Sequence, residues 1–165
     1  MSYYPNWLGT DLIEGNLFWD RSLKTTMPEF FAQYTLHDSY WIGLFLEPQR
    51  NGIAIIRWDT FWTKGRMSFP GSTVADWHLL LIYFSGLCYS DVNLDETGIS
   101  GATTKLLTEQ QYQTMVFLPE GEFHCTEIED FAGGIARFIH SSQVSLLCLN
   151  KEKEILEIPF NQAAA

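Results

Sequence analysis

Residues Thr35–Trp62 read TLHDSYWIGLFLEPQRNGIAIIRWDTFW. Two apolar runs, Tyr40–Leu46 (YWIGLFL) and Ile53–Trp58 (IAIIRW), flank the polar stretch Glu47–Gly52. β-Branched and aromatic residues favour a pleated backbone. Pro48 presets a turn-like φ, and Asn51-Gly52 readily supplies the positive φ values that a tight reversal needs. The stretch is therefore predicted to be a β-hairpin, with a buried helical hairpin as the competing reading. Both runs are apolar on more than one face. That suits central strands covered on both sides, or strands that form one wall of a binding site.

Upstream of the hairpin, Tyr3, Tyr4, Trp7, Phe18 and Trp19 make residues 1–22 aromatic and irregular. A short strand is expected near Asn16–Trp19. Pro28 can open a helix over Pro28–Tyr34, with Thr26 or Met27 at the cap and Phe30, Phe31 and Tyr34 on one stripe. Downstream, Trp77–Cys88 (WHLLLIYFSGLC) is a second apolar peak and the expected partner strand of the hairpin, with Gly86 as a bulge or bend. Asp91–Gly101 reads as a loop. Thr108–Thr114 is a candidate helical turn with a Thr108–Gln111 capping-box spacing, and Met115–Leu118 a candidate strand. Strands are expected at Glu122–Ile128, at Ile135–Ile139 after a Gly133-Gly134 break, and at Gln143–Leu149. Glu154–Ile158 returns antiparallel and stops at Pro159. The sum is α+β: mainly antiparallel sheet with one or two short helices, in a single domain over residues 1–162. Ala163–Ala165 reads as a cloning scar.

The chain carries 20 acidic and 10 basic side chains, for a formal charge of −10. Phosphate backbones and anionic membrane surfaces are repelled by such a chain, whereas a basic protein partner is attracted and oriented by it. Cys88, Cys125 and Cys148 are odd in number and none lies in a Cys-x-x-Cys pair. They are expected to act as small core hydrophobes in a reducing compartment. The N-terminus has no basic, hydrophobic signal pattern, and the longest apolar run, Leu79–Phe84, is too short to span a bilayer. A cytoplasmic protein, monomeric or dimeric through an edge such as Glu154–Ile158, is the expectation.

Few residues suggest chemistry. His37-Asp38 pairs an imidazole with a carboxylate, which can share a metal ion or a proton. HD phosphohydrolases contain this dipeptide, but they need further His and Asp ligands on helices, and here no second helical histidine lies nearby. The blander assignment makes His37 and Asp38 a structural anchor at the start of the hairpin. A zinc site of His37, His124, Cys125 and His140 lacks ligand spacing. His124 and Cys125 would also face opposite sides of a strand. No cysteine opens a helix or sits in a basic pocket. There is no Gly-x-Ser-x-Gly elbow, phosphate-binding Gly-rich loop or His-Glu-x-x-His. No catalytic residue, metal or cofactor is assigned. Glu120, Glu122, Glu127, Glu129 and Asp130 form an acidic run, read as a solvated face that attracts basic side chains. Phe61 and Trp62, beside Lys64 and Arg66, are the best aromatic anchors for a protein partner. Trp41 and Trp77 are expected in the core.

Leu36-His37-Asp38-Ser39, followed by strand, turn and strand over roughly residues 30–62, resembles small bacterial immunity-type proteins of polymorphic toxin systems. The resemblance implies a soluble α+β protein that binds and blocks a cognate toxin. It carries over no catalytic residues. The expectation is a non-catalytic module that presents an acidic, aromatic-rimmed face to a basic partner. The alternative is a small-molecule-binding β-domain or enzyme, its pocket lined by Trp41, Trp58 and Trp77 with His37 and Asp38 at the mouth.

Overall fold

A computed structural model describes residues 19–21, 25–59, 78–107, 121–150, 154–158 and 160. These residues form an α+β fold dominated by antiparallel strands, with one short helix among them. The first sheet contains β1 (Thr25–Thr26), β2 (Tyr40–Glu47), β3 (Asn51–Trp58), β4 (His78–Phe84), β9 (Gln143–Leu149) and β10 (Ile155–Leu156). Its order is β1-β9-β4-β3-β2, and β10 pairs with the other end of the β9 flank that β1 occupies. The second sheet has the order β5-β8-β7-β6, from β5 (Tyr89–Asn93), β6 (Ile99–Leu106), β7 (Phe123–Asp130) and β8 (Ile135–Ser141). Helix α1 (Met27–Gln33) has Pro28 in its first turn, and the Thr26 hydroxyl at its cap accepts a hydrogen bond from the Glu29 N–H.

Side-chain alternation puts the sheets face to face. Ala54, Ile56 and Trp58 of β3 and Leu80, Ile82 and Phe84 of β4 meet Ile128 of β7 and Ala136 and Phe138 of β8 in one core cluster. Phe138 stacks on Trp41 and on Phe84, with ring centroids 5.8 and 5.2 Å away, so one ring joins three strands across the two layers. Phe30 and Tyr34 close one side of this core around Trp58. The opposite faces of β3, β4 and β9 are also apolar and buried, through Ile53, Ile55, Leu79, Leu81, Leu147 and Leu149. The two-sided apolar patterning of the hairpin therefore corresponds to sheet covered on both faces.

Two local expectations change, at the hairpin turn and at Asp91–Gly101, while Gly86 keeps the expected bend. The hairpin reverses through Pro48–Arg50, with positive φ at Gln49 (68°) and Arg50 (61°). Asn51 and Gly52 are already strand residues paired with Glu47 and Leu46. A reversal centred on Asn51-Gly52 would shift the register and turn the wrong side chains inward. Gly52 instead lets Leu87 pack close to the strand, since a Cβ there would lie 2.6 Å from Leu87 Cδ2 and displace that methyl. Asp91–Gly101 is not one loop: Tyr89–Asn93 is an edge strand with every residue exposed, and Ile99 begins β6. An exposed edge carries no hydrophobic alternation, so the stretch has no strand signature. Gly86, with φ 59°, is a bend after β4 where the chain leaves the first sheet for the second. The expectations at Asn16–Phe18, Trp77, Thr108–Thr114 and Met115–Leu118 lie outside the described residues.

Phe138→Ala would remove the ring shared by both sheets. A loss of about 3–5 kcal/mol is expected for such a truncation, read as a lower urea midpoint with little change in slope.

Candidate functional site

An open groove of about 560 Å³ lies where four chain segments converge. Asp38 and Tyr40 come from the approach to β2, Asp59 from the end of β3, Glu96, Thr97 and Gly98 from the β5–β6 loop, and Phe131 from the β7–β8 turn. The groove is acidic and aromatic. Tyr40 and Phe131 are 50% and 54% exposed, so both rings offer a large apolar surface to a ligand.

Backbone hydrogen bonds assemble it. Asp38 adopts φ 63°, a conformation that Asp tolerates better than most residues. Its N–H donates to Ile99 O, Ile99 N–H donates back to Ser39 O, and Trp41 N–H donates to Thr97 O. Ser39 is fully buried, and its Oγ accepts a hydrogen bond from Asp59 N–H at 2.9 Å. One serine thus positions two groove segments. Phe131 N–H donates to Gly98 O. A Cβ on Gly98 would sit 3.1 Å from Phe131 Cδ2, so glycine lets the ring lie against the loop.

Asp130 ties two of these segments together. Its Oδ2 accepts from the N–H groups of Asp95 (2.6 Å) and Glu96 (3.1 Å) in the β5–β6 loop. Its Oδ1 accepts from Ala132 (2.7 Å) and Gly134 (2.9 Å) in its own turn. Burial works against the charged carboxylate, but these four backbone donors prevail and hold its pKa below the usual value. Gly134 completes the knot, because a Cβ there would meet Asp130 Oδ2 at 2.5 Å and Asp95 N at 2.6 Å.

This geometry corrects the acidic face expected at 120–130. Asp130 is 1% exposed and turned inward, so it supports the groove and offers no contact surface. Its neighbours alternate outward: Glu129 is exposed, and Glu127 is partly buried and pairs with Arg137 at 3.4 Å. Glu122 is exposed just before β7 begins, about 23 Å along the strand from Glu129 at a strand rise of roughly 3.3 Å per residue. The run is therefore not one patch. Glu120, Phe61 and Trp62 lie outside the described residues.

His37 sits beside the groove. Its Nδ1–H donates to Ser100 O at 2.8 Å, its ring meets Phe131 edge-on, and its Nε2 lies 3.6 Å from Asp38 Oδ1. Asp38 lines the groove; His37 does not. Trp41 and Trp58 fill the core, so they cannot line a pocket with this pair as expected in the alternative reading. Tyr40, Asp59, Glu96 and Phe131 were not singled out by sequence reasoning. They are scattered along the chain, and only an exposed aromatic in the turn Phe131-Ala132-Gly133 offered a signal.

His124, His140 and the cysteines lie away from the groove. His124 and His140 face each other across β7 and β8 with rings 6.3 Å apart, while Cys125 belongs to a separate apolar cluster on the other face of β7. His140 Nδ1–H donates to Ser141 O, which leaves Nε2 to accept from the Thr126 hydroxyl at 2.7 Å in the neutral ring. Burial pushes the His140 pKa down to about 4, with His124 adding to the shift against the Ser141 carbonyl. Burial also raises the pKa of Cys88, Cys125 and Cys148, the last to about 12, so none has the lowered value of a reactive thiolate. Among the described residues no three His, Cys, Asp or Glu side chains are grouped to hold a metal ion. No helix among them is long and apolar enough to cross a membrane.

Two measurements check these assignments. Asp130→Asn replaces one acceptor oxygen with an NH2 group facing backbone donors. Faster amide exchange at Asp95, Glu96, Ala132 and Gly134 and a lower Tm are expected; unchanged exchange would contradict the knot. The unfolded chain protonates His140 near pH 6.5, but the folded chain only near pH 4. Stability should therefore fall as pH drops through that window, by at most about 3 kcal/mol from this group. Urea midpoints of wild type and His140→Gln across pH 7 to 4 should separate its share, with a shallower decline in the variant.

The chain matches no protein-family model, no curated protein and no solved structure.

Proposed function

We propose that this chain is a non-catalytic binding protein that takes a basic side chain of a protein partner into the groove. The observation that carries this reading is the convergence of Asp38, Asp59 and Glu96 with the exposed rings of Tyr40 and Phe131. Carboxylates attract a guanidinium or ammonium group, and an aromatic face holds it by cation–π attraction. Tyr40 already has the Arg57 guanidinium 5.9 Å from its ring centroid. The net charge of −10 adds a long-range field that would steer a basic partner towards the molecule. Glu122, Glu127 and Glu129 belong to that field and not to the groove.

The resemblance of residues 30–62 to immunity-type proteins makes a basic toxin domain the first partner to test, with the groove as the occluding contact. Three free cysteines suit a reducing, cytoplasmic setting. A second reading, a small cationic ligand, is favoured by one observation: the groove volume falls in the range of small-molecule sites.

The test uses a partner captured on the immobilised protein. Asp59→Lys/Glu96→Lys should slow association about tenfold at low salt, and the difference should shrink as salt rises. Phe131→Ala should mainly speed dissociation, because it removes ring contact without changing charge. An association rate indifferent to both charge reversals sinks the reading. Saturation of the groove by free arginine with no protein captured favours the small ligand.

A further inference from the structure

We propose that strand β5, Tyr89–Asn93, is a docking edge onto which the basic partner adds an extended segment as a further strand. The proposal rests on the reading of the partner as basic, and it concerns a different surface from the groove. β5 ends the second sheet: β8 pairs with one side, and no strand lies along the other among the described residues. All five of its residues are exposed. A sheet edge is a row of backbone donors and acceptors ready to pair, and edges are usually blunted by bulges, prolines or lysines. β5 has no bulge, proline or lysine, and Asp91 is its one charged residue. Its register with β8 runs unbroken from Tyr89↔Ile139 to Asn93↔Ile135. By contrast, the edge strands β2 and β6 each have a register irregularity, and β6 carries Lys105.

Charge selects the occupant. Antiparallel pairing of two copies about the middle of β5 would set Asp91 against Asp91, between molecules that each carry −10. A second copy is therefore disfavoured. A basic segment meets the opposite situation. On the face that β5 shares with β8 lies a hollow of about 280 Å³ lined by Asp91 and Asn93 of β5, by Asp95, and by Ile135 and Arg137 of β8. Arg137 already pairs with Glu127, which leaves the two aspartates to face an incoming cation. Strand addition gains affinity from main-chain hydrogen bonds and selectivity from hollows that receive alternate side chains. Here a Lys or Arg of the added strand would lie opposite Asp91, the one charged residue of β5.

The probe is a capped seven-residue peptide alternating Lys and Thr, titrated at low salt into the full chain and followed by backbone amide NMR. The expected result is that the largest shifts fall on Tyr89–Asn93 and that alternate amides of β5 gain exchange protection. N-methylation of alternate peptide residues should weaken binding about tenfold by deleting donors, and Asp91→Lys should weaken it several-fold. Equal binding of the N-methylated peptide would mean electrostatic attachment alone and would overturn strand addition. Shifts confined to Glu96 and Phe131, abolished by Glu96→Lys, would overturn the edge while leaving the groove reading intact. No binding of the peptide at either place would count against both. Protection of β5 amides in the free protein together with a doubled mass would assign the edge to a second copy and overturn the proposal.

Discussion

The Asp130 carboxylate is the constraint on which the candidate site depends. Four backbone N–H groups from two separate loops converge on its two oxygens. A buried carboxylate is costly unless it is paired or saturated with donors. Here the donors are main chain, so the charge is satisfied without a basic side chain. The consequence is positional. Glu96, Thr97 and Gly98 on one loop and Phe131 on the other are held in register, and those residues make one side of the groove. Ser39 plays the corresponding part on the other side, where its hydroxyl takes the Asp59 N–H and its carbonyl accepts from the Ile99 N–H at the β6 start.

Beneath this rim lies a core that is aromatic where the two sheets meet. Phe138 against Trp41 and Phe84 fills the space between layers with flat rings, and Phe84 also packs on His140 at 4.5 Å. A polar chain runs through the same region from Thr104 to Thr126 to His140 to the Ser141 carbonyl. Burial disfavours the charged imidazole, so the chain runs through a neutral His140 at neutral pH. Burial of both faces of the first sheet accounts for the apolar surplus that the hairpin shows in the sequence.

The hairpin, the strand at Gln143–Leu149 and the capped helix were legible because each has a local physical signature: apolar runs bounded by turn formers, or Thr26 and Pro28 at a helix start. β5 was not legible, since Tyr89–Asn93 has no buried face to impose a pattern. The turn fell within the expected Glu47–Gly52 stretch, but its positive φ values sit at Gln49 and Arg50, because Asn51 and Gly52 are taken up by strand pairing with Glu47 and Leu46. The acidic run at 120–130 was read as one face. Strand alternation divides its described members, turning Asp130 inward and Glu127 and Glu129 outward.

By itself the sequence determined the α+β class, the antiparallel pairing of the central strands and the strongly acidic character of the molecule, because propensity, alternation and net charge are properties of neighbouring residues or simple sums. Only the tertiary structure decided which carboxylates are presented and which are consumed. Asp130 meets partners 34 and 35 residues away, and Tyr40, Asp59, Glu96 and Phe131 converge from four segments. No local pattern encodes such a meeting, since it exists only after both sheets have closed on the core.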